Sequence, residues 1–260
     1  MLEIDPITDT VNTSQVADAV ATGPKKFLDY QLAPNGKGYT ATHSTARYLA
    51  IDTSSAPADP ILTGVGTGTT AFQTRGIALG TDGLLYTSIF GPVTKFGRID
   101  TATDTALAGI DIVIDTTGPL YTSNPALANS SQHKFQWGIT ASPNGKLFST
   151  PWVSVRVSIY QIGDASGYQG PTVLTGLVPE PTSTDDPYFS KYNGRGIYVA
   201  ENDSIYMFPR AANAILKTNV LTDISVEIPL PTDLQIAPQS LQKSMSAVRG
   251  NNGLIYSTPW

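Results

Sequence analysis

The sequence predicts an all-β fold, a five-bladed β-propeller, and three observations carry that prediction. Five turn dipeptides stand between short apolar runs: Asn35-Gly36, Asp82-Gly83, Asn144-Gly145, Asn202-Asp203 and Asn252-Gly253. Asn-Gly and Asp-Gly in that setting are strong hairpin signals, because a type I′ turn needs positive φ at both central residues. Asn202-Asp203 lacks the glycine, but both residue types tolerate the left-handed region. Each turn follows a short strand (YQLA, IALG, ITAS, IYVA, AVRG) and is followed by an aromatic residue: Tyr39, Tyr86, Phe148, Tyr206 and Tyr256. The turns lie 47, 62, 58 and 50 residues apart. Periods near 40 to 50 residues with several strands per repeat are those of propeller blades.

Gly76 to Asp104 is the reference repeat: a strand, a turn at Asp82-Gly83, a second strand, and a third strand ending in IDTATD. The stretch Ala247 to Trp260 supplies the first two strands of a repeat, and MLEIDPITDT at the start matches GRIDTATDT, a third strand with its exit turn. The expectation is one blade completed by strands from both ends of the chain, which would leave no orphan inner edge. The interval across that join, 43 residues, fits the period. A piece cut from a longer array would show a similar break. The blades fall at about 27–62, 74–108, 135–176, 194–228, and 243–260 plus 1–13, in one domain spanning 1–260.

In order along the chain, residues 1–13 read as an outer strand pair. Thr13–Gly23 is the one place a short helix fits; it is short and ends in Gly-Pro, so it reads as a connection. ARYLAID gives the third strand of the first blade, with the alternation of a half-buried strand. Gly64–Thr70 (GVGTGTT) lacks the lysine and the following helix of a phosphate-cradling loop and reads as a flexible connection. Gly109–Thr122 adds a fourth strand and a hairpin after the second blade. Val153–Ile162 alternates cleanly as a strand, while 178–188, with three prolines and several acids, is a loop excursion. The Pro-rich stretch 229–238 leads into the last blade.

Composition narrows the function classes. Of 260 residues only 14% are charged, and the net charge is −5 with no basic run. This argues against nucleic acid, which needs a positive footprint, and against anionic membrane surfaces. The chain has no cysteine, which removes disulfides, thiolate zinc sites and cysteine nucleophiles together. MLEIDPITDT lacks a basic region followed by an apolar core, so no signal peptide is visible, and no apolar run has membrane-spanning length. The expected setting is a virion or an extracellular surface, otherwise the cytoplasm, with no membrane insertion and no cofactor.

Two aligned columns are candidate sites. Seven residues before each turn stand Leu28, Arg75, Trp137, Arg195 and Met245, followed by Asp29, Gly76, Gly138, Gly196 and Ser246. Small residues are expected where innermost strands crowd together. Arg75, Trp137 and Arg195 would then face one mouth of a central channel and take a carboxylate, phosphate or sugar; alternatively the arginines cap strands or pair with acids. Eight residues after each turn stand His43, Phe90, Trp152, Arg210 and Trp260, with STPW occurring twice. On one face these rings would make stacking platforms for carbohydrate; alternatively they wedge between blades. The acidic turns Ile4–Thr10 and Ile99–Thr105 do not match a calcium loop and read as turns bonding their own backbone. No catalytic set emerges: His43 and His133 lack ligand spacing, no Gly-x-Ser-x-Gly occurs, and the inner strands offer only Asp29 and Glu201.

The phrases LAPNGKGYTAT, ASPNGKLFSTPW, GNNGLIYSTPW and LEIDPITDT resemble a propeller repeat of the form PNGKIY…IDPATDT, found in uncharacterised bacterial, protist and viral proteins. The repeat is loosely similar to the YVTN/NHL-type propellers. NAILKTNVLTD in the fourth blade departs from it. The resemblance covers nearly the whole chain and implies the fold, with no catalytic residues to carry over. The function expected is a non-enzymatic binding or structural propeller, such as a phage or virus tail, fibre or decoration component. Its expected partners are other proteins of the assembly or a host-surface glycan or receptor. The alternatives are a soluble glycan-binding lectin and a glycoside- or lactone-active hydrolase at the channel.

Overall fold

The structure, a computed structural model, describes residues 2–5, 10–13, 27–42, 48–52, 61–65, 73–90, 95–111, 136–151, 157–163, 169–172, 197–201, 204–207, 213–219, 224–232, 246–250 and 252–258. The elements among the described residues are strands. β1 (Leu2–Asp5) and β2 (Thr10–Thr13) form one antiparallel pair. The first four-stranded sheet holds β3 (Phe27–Leu32), β4 (Gly38–Thr42), β5 (Tyr48–Asp52) and β6 (Ile61–Val65). The second holds β7 (Gln73–Leu79), β8 (Leu85–Phe90), β9 (Lys95–Asp100) and β10 (Thr105–Asp111). The third holds β11 (Gln136–Ala141), β12 (Lys146–Pro151), β13 (Val157–Gln161) and β14 (Gln169–Thr172). The fourth holds β15 (Ile197–Glu201), β16 (Ser204–Met207), β17 (Ala214–Asn219) and β18 (Ile224–Pro229). β19 (Ser246–Arg249) and β20 (Ile255–Thr258) form a last pair.

Each sheet is an antiparallel meander in sequence order, so each strand bonds only its neighbours in the chain. Gly64 and Val65, which the sequence reading placed in a glycine-rich connection, close β6 and pair with Leu49 and Tyr48. The first strands lie side by side, β3 against β7, β7 against β11, β11 against β15 and β15 against β19. The sheets thus converge on their first strands and fan outward. β1–β2 and β19–β20 are two separate pairs, and the hydrogen-bonded union expected from the sequence is not made among the described residues.

The turns are built differently from the type I′ expectation. Gly36 N donates to Ala33 O at 3.0 Å and Ala33 N to Lys37 O at 3.0 Å, which encloses Pro34, Asn35 and Gly36. The same pair of bonds recurs at Gly80–Leu84, Ser142–Lys146 and Gly250–Leu254. Only the glycine goes left-handed, with φ of 79° to 81° at Gly36, Gly83, Gly145 and Gly253. This is a three-residue loop, a type I turn closed by a left-handed glycine. Asn or Asp before the glycine serves through its side chain: Asn35 Oδ1 accepts from Lys37 N at 3.0 Å, and Asp82 Oδ1 from Leu84 N at 3.2 Å. The Asn202-Asp203 turn lies outside the described residues.

The core sits between sheets. Ala33, Tyr39 and Ala50 of the first sheet meet Ile77, Leu85 and Ile99 of the second. Ala78, Tyr86 and Phe96 on the second sheet's other face meet Ile139, Leu147 and Tyr160 of the third. Tyr39 and Tyr86, each four residues after its turn, are therefore wedges between sheets, and Phe148 at the matching position is also fully buried. The two tyrosines keep a polar tip satisfied. Tyr86 donates to Asp82 Oδ2 at 2.7 Å, and burial followed by that acceptor pushes the phenol well above its usual range.

Candidate functional site

The site the structure builds is the inner edge, at the end of the first strands opposite the turns. Three consecutive sheets carry a register shift there. In β3 it falls between Phe27 and Asp29, in β7 between Thr74 and Ile77, and in β11 between Gln136 and Gly138. Each shift inserts one extra residue against the second strand, so the bulged positions are Leu28, Arg75 with Gly76, and Trp137. These belong to the column the sequence marked seven residues before each turn. A β-bulge bends its strand and re-aims a side chain, and bulges concentrate beside functional sites.

A bulge disturbs ladder hydrogen bonds, and hydroxyls on the second strands bond the main chain beside each one. Thr40 donates to Asp29 O at 2.7 Å and Ser149 to Gly138 O at 2.7 Å. Ser88 Oγ accepts from Gly76 N at 2.8 Å. Thr40 and Ser149 stand five residues after their turns and Ser88 six. These hydroxyls are visible in the sequence; their role is visible only once the bulges are.

Between sheets, contact is backbone to backbone. A Cβ on Gly76 would stand 2.8 Å from Ile139 N, so the glycine expected from crowding is required by space. Asp29 ties the first two sheets: Oδ2 accepts from Ile77 N at 3.0 Å and Oδ1 from Tyr30 N at 2.9 Å. Crowding by protein strips water from the carboxyl and raises it to about 6, while the two amides pull the other way. Part of Asp29 still faces solvent, so water screens this effect and its direction matters more than its size.

The sign follows from a folded value above the ordinary 3.8. Asp29 then contributes stability that is complete below the unfolded value and lost as pH rises through about 6. After discounting for solvent, the loss is on the order of 1 kcal/mol, or roughly 2 °C in Tm. We expect Asp29→Asn to remove this decline between pH 4.5 and 7.5 in thermal unfolding. An unchanged pH profile would deny Asp29 the role.

Of the candidates, Arg75 is half-buried, with Nε buried, and Trp137 occupies the matching position on β11. Phe90 ends β8. His43, Trp152, Arg195, Arg210 and Trp260 lie outside the described residues, so neither the ring of platforms nor the fourth member of the arginine column is tested. Glu201 ends β15 at the turn side and pairs with Ser204. In the acidic turn 99–105, Asp100 accepts from Ala102 N at 2.8 Å and Asp104 bonds Tyr39 and Lys37, as a structural turn would. No group of three or more His, Cys, Asp or Glu that could hold a metal occurs among the described residues.

These sheets and their inner edges define the class: a β-propeller-like protein. No family model matches the chain, and no curated protein matches it. Solved structures do. Virginiamycin B lyase from Staphylococcus aureus superposes with a TM-score of 0.60 at 15% identity, over 90% of this chain and 63% of that one. A 6-phosphogluconolactonase-like protein from Bacteroides uniformis gives 0.53 at 14%, over 88% and 64%. The extracellular domain of a one-component system from B. thetaiotaomicron gives 0.59 at 13%, over 92% and 29%. The chain thus spans less than two thirds of the length of each. At these identities the likeness is one of fold.

Proposed function

We propose that this chain is a non-enzymatic recognition propeller that takes an anionic or sugar ligand at the inner-edge mouth marked by Arg75 and Trp137. The observation that carries the reading is the repeated bulge. Three sheets hold the same backbone irregularity, clamped by hydroxyls, while the residue at its crest changes from Leu28 to Arg75 to Trp137. A fixed frame presenting varied side chains is how a scaffold builds a specific site. Arg195 extends the column in the fourth repeat. The extracellular domains among the similar structures support an exposed setting. The virion setting rests on composition and the repeat resemblance, without support from the similar structures.

The test is a glycan array, extended with carboxylated and phosphorylated sugars, probed with the intact chain and with Arg75→Ala, Trp137→Ala and Trp152→Ala. A charge-assisted hydrogen bond is worth about 1.5–3 kcal/mol, so Arg75→Ala is expected to weaken capture by roughly 10- to 100-fold. Loss in Trp152→Ala alone would move the site to the STPW column. A blank array would end the small-ligand reading in favour of protein partners.

A second reading, an enzyme at the same edge, is favoured by one observation: the Asp29 carboxyl, crowded by protein between the first two sheets, is raised from its ordinary value in the direction a general acid needs. Lyase and lactonase-like proteins are among the similar structures. Against it, both Asp29 oxygens accept main-chain amides, which is the work of a strut. Turnover of a lactone or glycoside that is abolished by Asp29→Asn would establish it.

A further inference from the structure

Three of the described turns carry the Asn-Gly dipeptide: Asn35-Gly36, Asn144-Gly145 and Asn252-Gly253. Asparagine before glycine loses its side-chain amide without an enzyme, because the next residue has no Cβ to shield its main-chain nitrogen from the side-chain carbon. The glycine nitrogen attacks Asn Cγ and forms a five-membered imide. The Cγ–Nδ2 bond breaks, and the nitrogen leaves as ammonia with the glycine's amide proton. Water then opens the ring to aspartate or to isoaspartate, in which the side-chain carbons have entered the main chain. Water is the only co-reactant.

The attack requires the glycine N–H to leave its acceptor and the Asn side chain to swing toward it. The three turns share the first demand: Gly36 N to Ala33 O, Gly145 N to Ser142 O and Gly253 N to Gly250 O are each 3.0 Å. They differ in the second. Asn35 Nδ2 donates to Tyr39 Oη at 2.8 Å and to Thr101 O at 2.6 Å, so freeing it undoes a tie between the first two sheets. Asn144 Oδ1 accepts from Ser142 Oγ, and the buried Gly145 is clamped by bonds from Ile162 N at 2.8 Å and Gln161 Nε2 at 3.2 Å to its carbonyl. Asn252 is held, among the described residues, only within its own hairpin. Its Nδ2 donates to Tyr256 Oη at 2.8 Å and its Oδ1 accepts from Leu254 N at 3.1 Å. Tyr256 is 51% exposed, whereas Tyr39 is 0%. Opening one hairpin frees Asn252, and such local openings cost less than parting packed sheets. Arg249 Nη2 also stands 3.9 Å from where a Cβ of Gly253 would lie. A guanidinium there favours the negative charge that passes from the glycine nitrogen to the Asn252 oxygen during attack.

We propose that Asn252-Gly253 is a site of spontaneous modification in the folded chain, converted through the imide to isoaspartate and aspartate, while inter-strand and inter-sheet bonds protect Asn144 and Asn35. The product alters the hairpin that carries it. The imide has no N–H at position 253 to donate to Gly250 O, and isoaspartate lengthens the loop between Gly250 and Leu254 by a main-chain carbon. Either change disturbs the loop that sets β19 against β20, in which Arg249 pairs with Ile255. Ring opening also places a new carboxylate beside Arg249. The proposal rests on turn chemistry and is independent of the ligand reading above.

The test is to hold the intact chain at mildly alkaline pH and follow each asparagine by peptide mass spectrometry with enzymatic isoaspartate labelling. The chain in denaturant supplies the reference rates. In the folded chain, conversion at Asn252 is expected to run roughly tenfold faster than at Asn35, the worth of the additional bond to Thr101 O. Tyr39→Phe, which removes one acceptor from Asn35, is expected to raise the Asn35 rate and leave Asn252 unchanged. Arg249→Gln, at an exposed position, is expected to slow Asn252 severalfold in the folded chain only. A rate unmoved by Arg249→Gln would overturn the guanidinium's part. Conversion at Asn252 no faster than at Asn35 in the folded chain, or Asn252 left intact while the denatured chain reacts, would overturn the proposal.

Discussion

Gly76→Val is expected to lower the unfolding midpoint by roughly 6–10 °C, the equivalent of about 3 kcal/mol or more. The position has no slack. Its Cβ would stand 2.8 Å from Ile139 N and 3.2 Å from both Ile139 Cγ2 and Ser88 Oγ. The obstruction is the main chain of β11, which cannot rotate away as a side chain does, and β7 is the strand on which the inner seams to β3 and β11 converge. Adding bulk must push the second and third sheets apart and open the cluster around Tyr86, Phe96 and Leu147. Gly83→Ala is the matched comparison. Nothing lies within 4 Å of a Cβ there, and the demand is only for φ of +81°. That change should cost about 1–2 kcal/mol. Differential scanning fluorimetry of the two variants separates space from backbone conformation. A Gly76→Val protein that unfolds like the parent would mean that β7 and β11 do not pack as described.

Asp104→Ala is expected to destabilise by about 2–4 kcal/mol, because it strips partners from several groups at once. Asp104 reaches from the β9–β10 turn to the first sheet, where Oδ1 accepts from the Tyr39 hydroxyl and Oδ2 from Lys37 Nζ. Asn35 completes the latch by donating to Tyr39 Oη at 2.8 Å and to Thr101 O at 2.6 Å. Burial followed by the Asp104 acceptor pushes the Tyr39 phenol up to about 12, and without Asp104 the hydroxyl would keep only the long contact to Thr101 O at 3.5 Å. Asp104 is also the one non-glycine residue at positive φ, 53°, among the described residues. Asp104→Gly therefore relieves backbone strain while deleting the same bonds, and should recover only about 1 kcal/mol. A double-mutant cycle with Tyr39→Phe should return a coupling of roughly 1–2 kcal/mol. A coupling near zero would reduce the latch to a surface contact.

Much of this architecture was legible in the sequence. The Asn-Gly and Asp-Gly dipeptides located the described hairpins, because a left-handed glycine and an Asx side chain act within four or five residues. Even there the loop type was misjudged. A three-residue loop and a type I′ turn share the same dipeptide, and the loop forms here both with Pro34 and with Thr81 two places before the glycine. The inner-strand column was legible at Gly76 and Gly138, since crowding selects small residues. That Leu28, Arg75 and Trp137 are bulged was not, because a bulge is a mismatch between two strands and neither strand shows it alone.

The sequence by itself determined the repeat, its hairpins, the order of strands and the surface chemistry that a −5 charge and absent cysteines allow. Each follows from interactions between residues close along the chain or from composition. Only the tertiary structure decided that Tyr39 and Tyr86 are the wedges, that Asp29 spans to Ile77, and that Tyr39 is latched to Asp104. Those choices depend on which face of a strand meets the next sheet, 48 or 65 residues further on. Strand periodicity places side chains on two faces without saying which will be covered. The covering sheet makes that decision, as it does where the third sheet buries Tyr86.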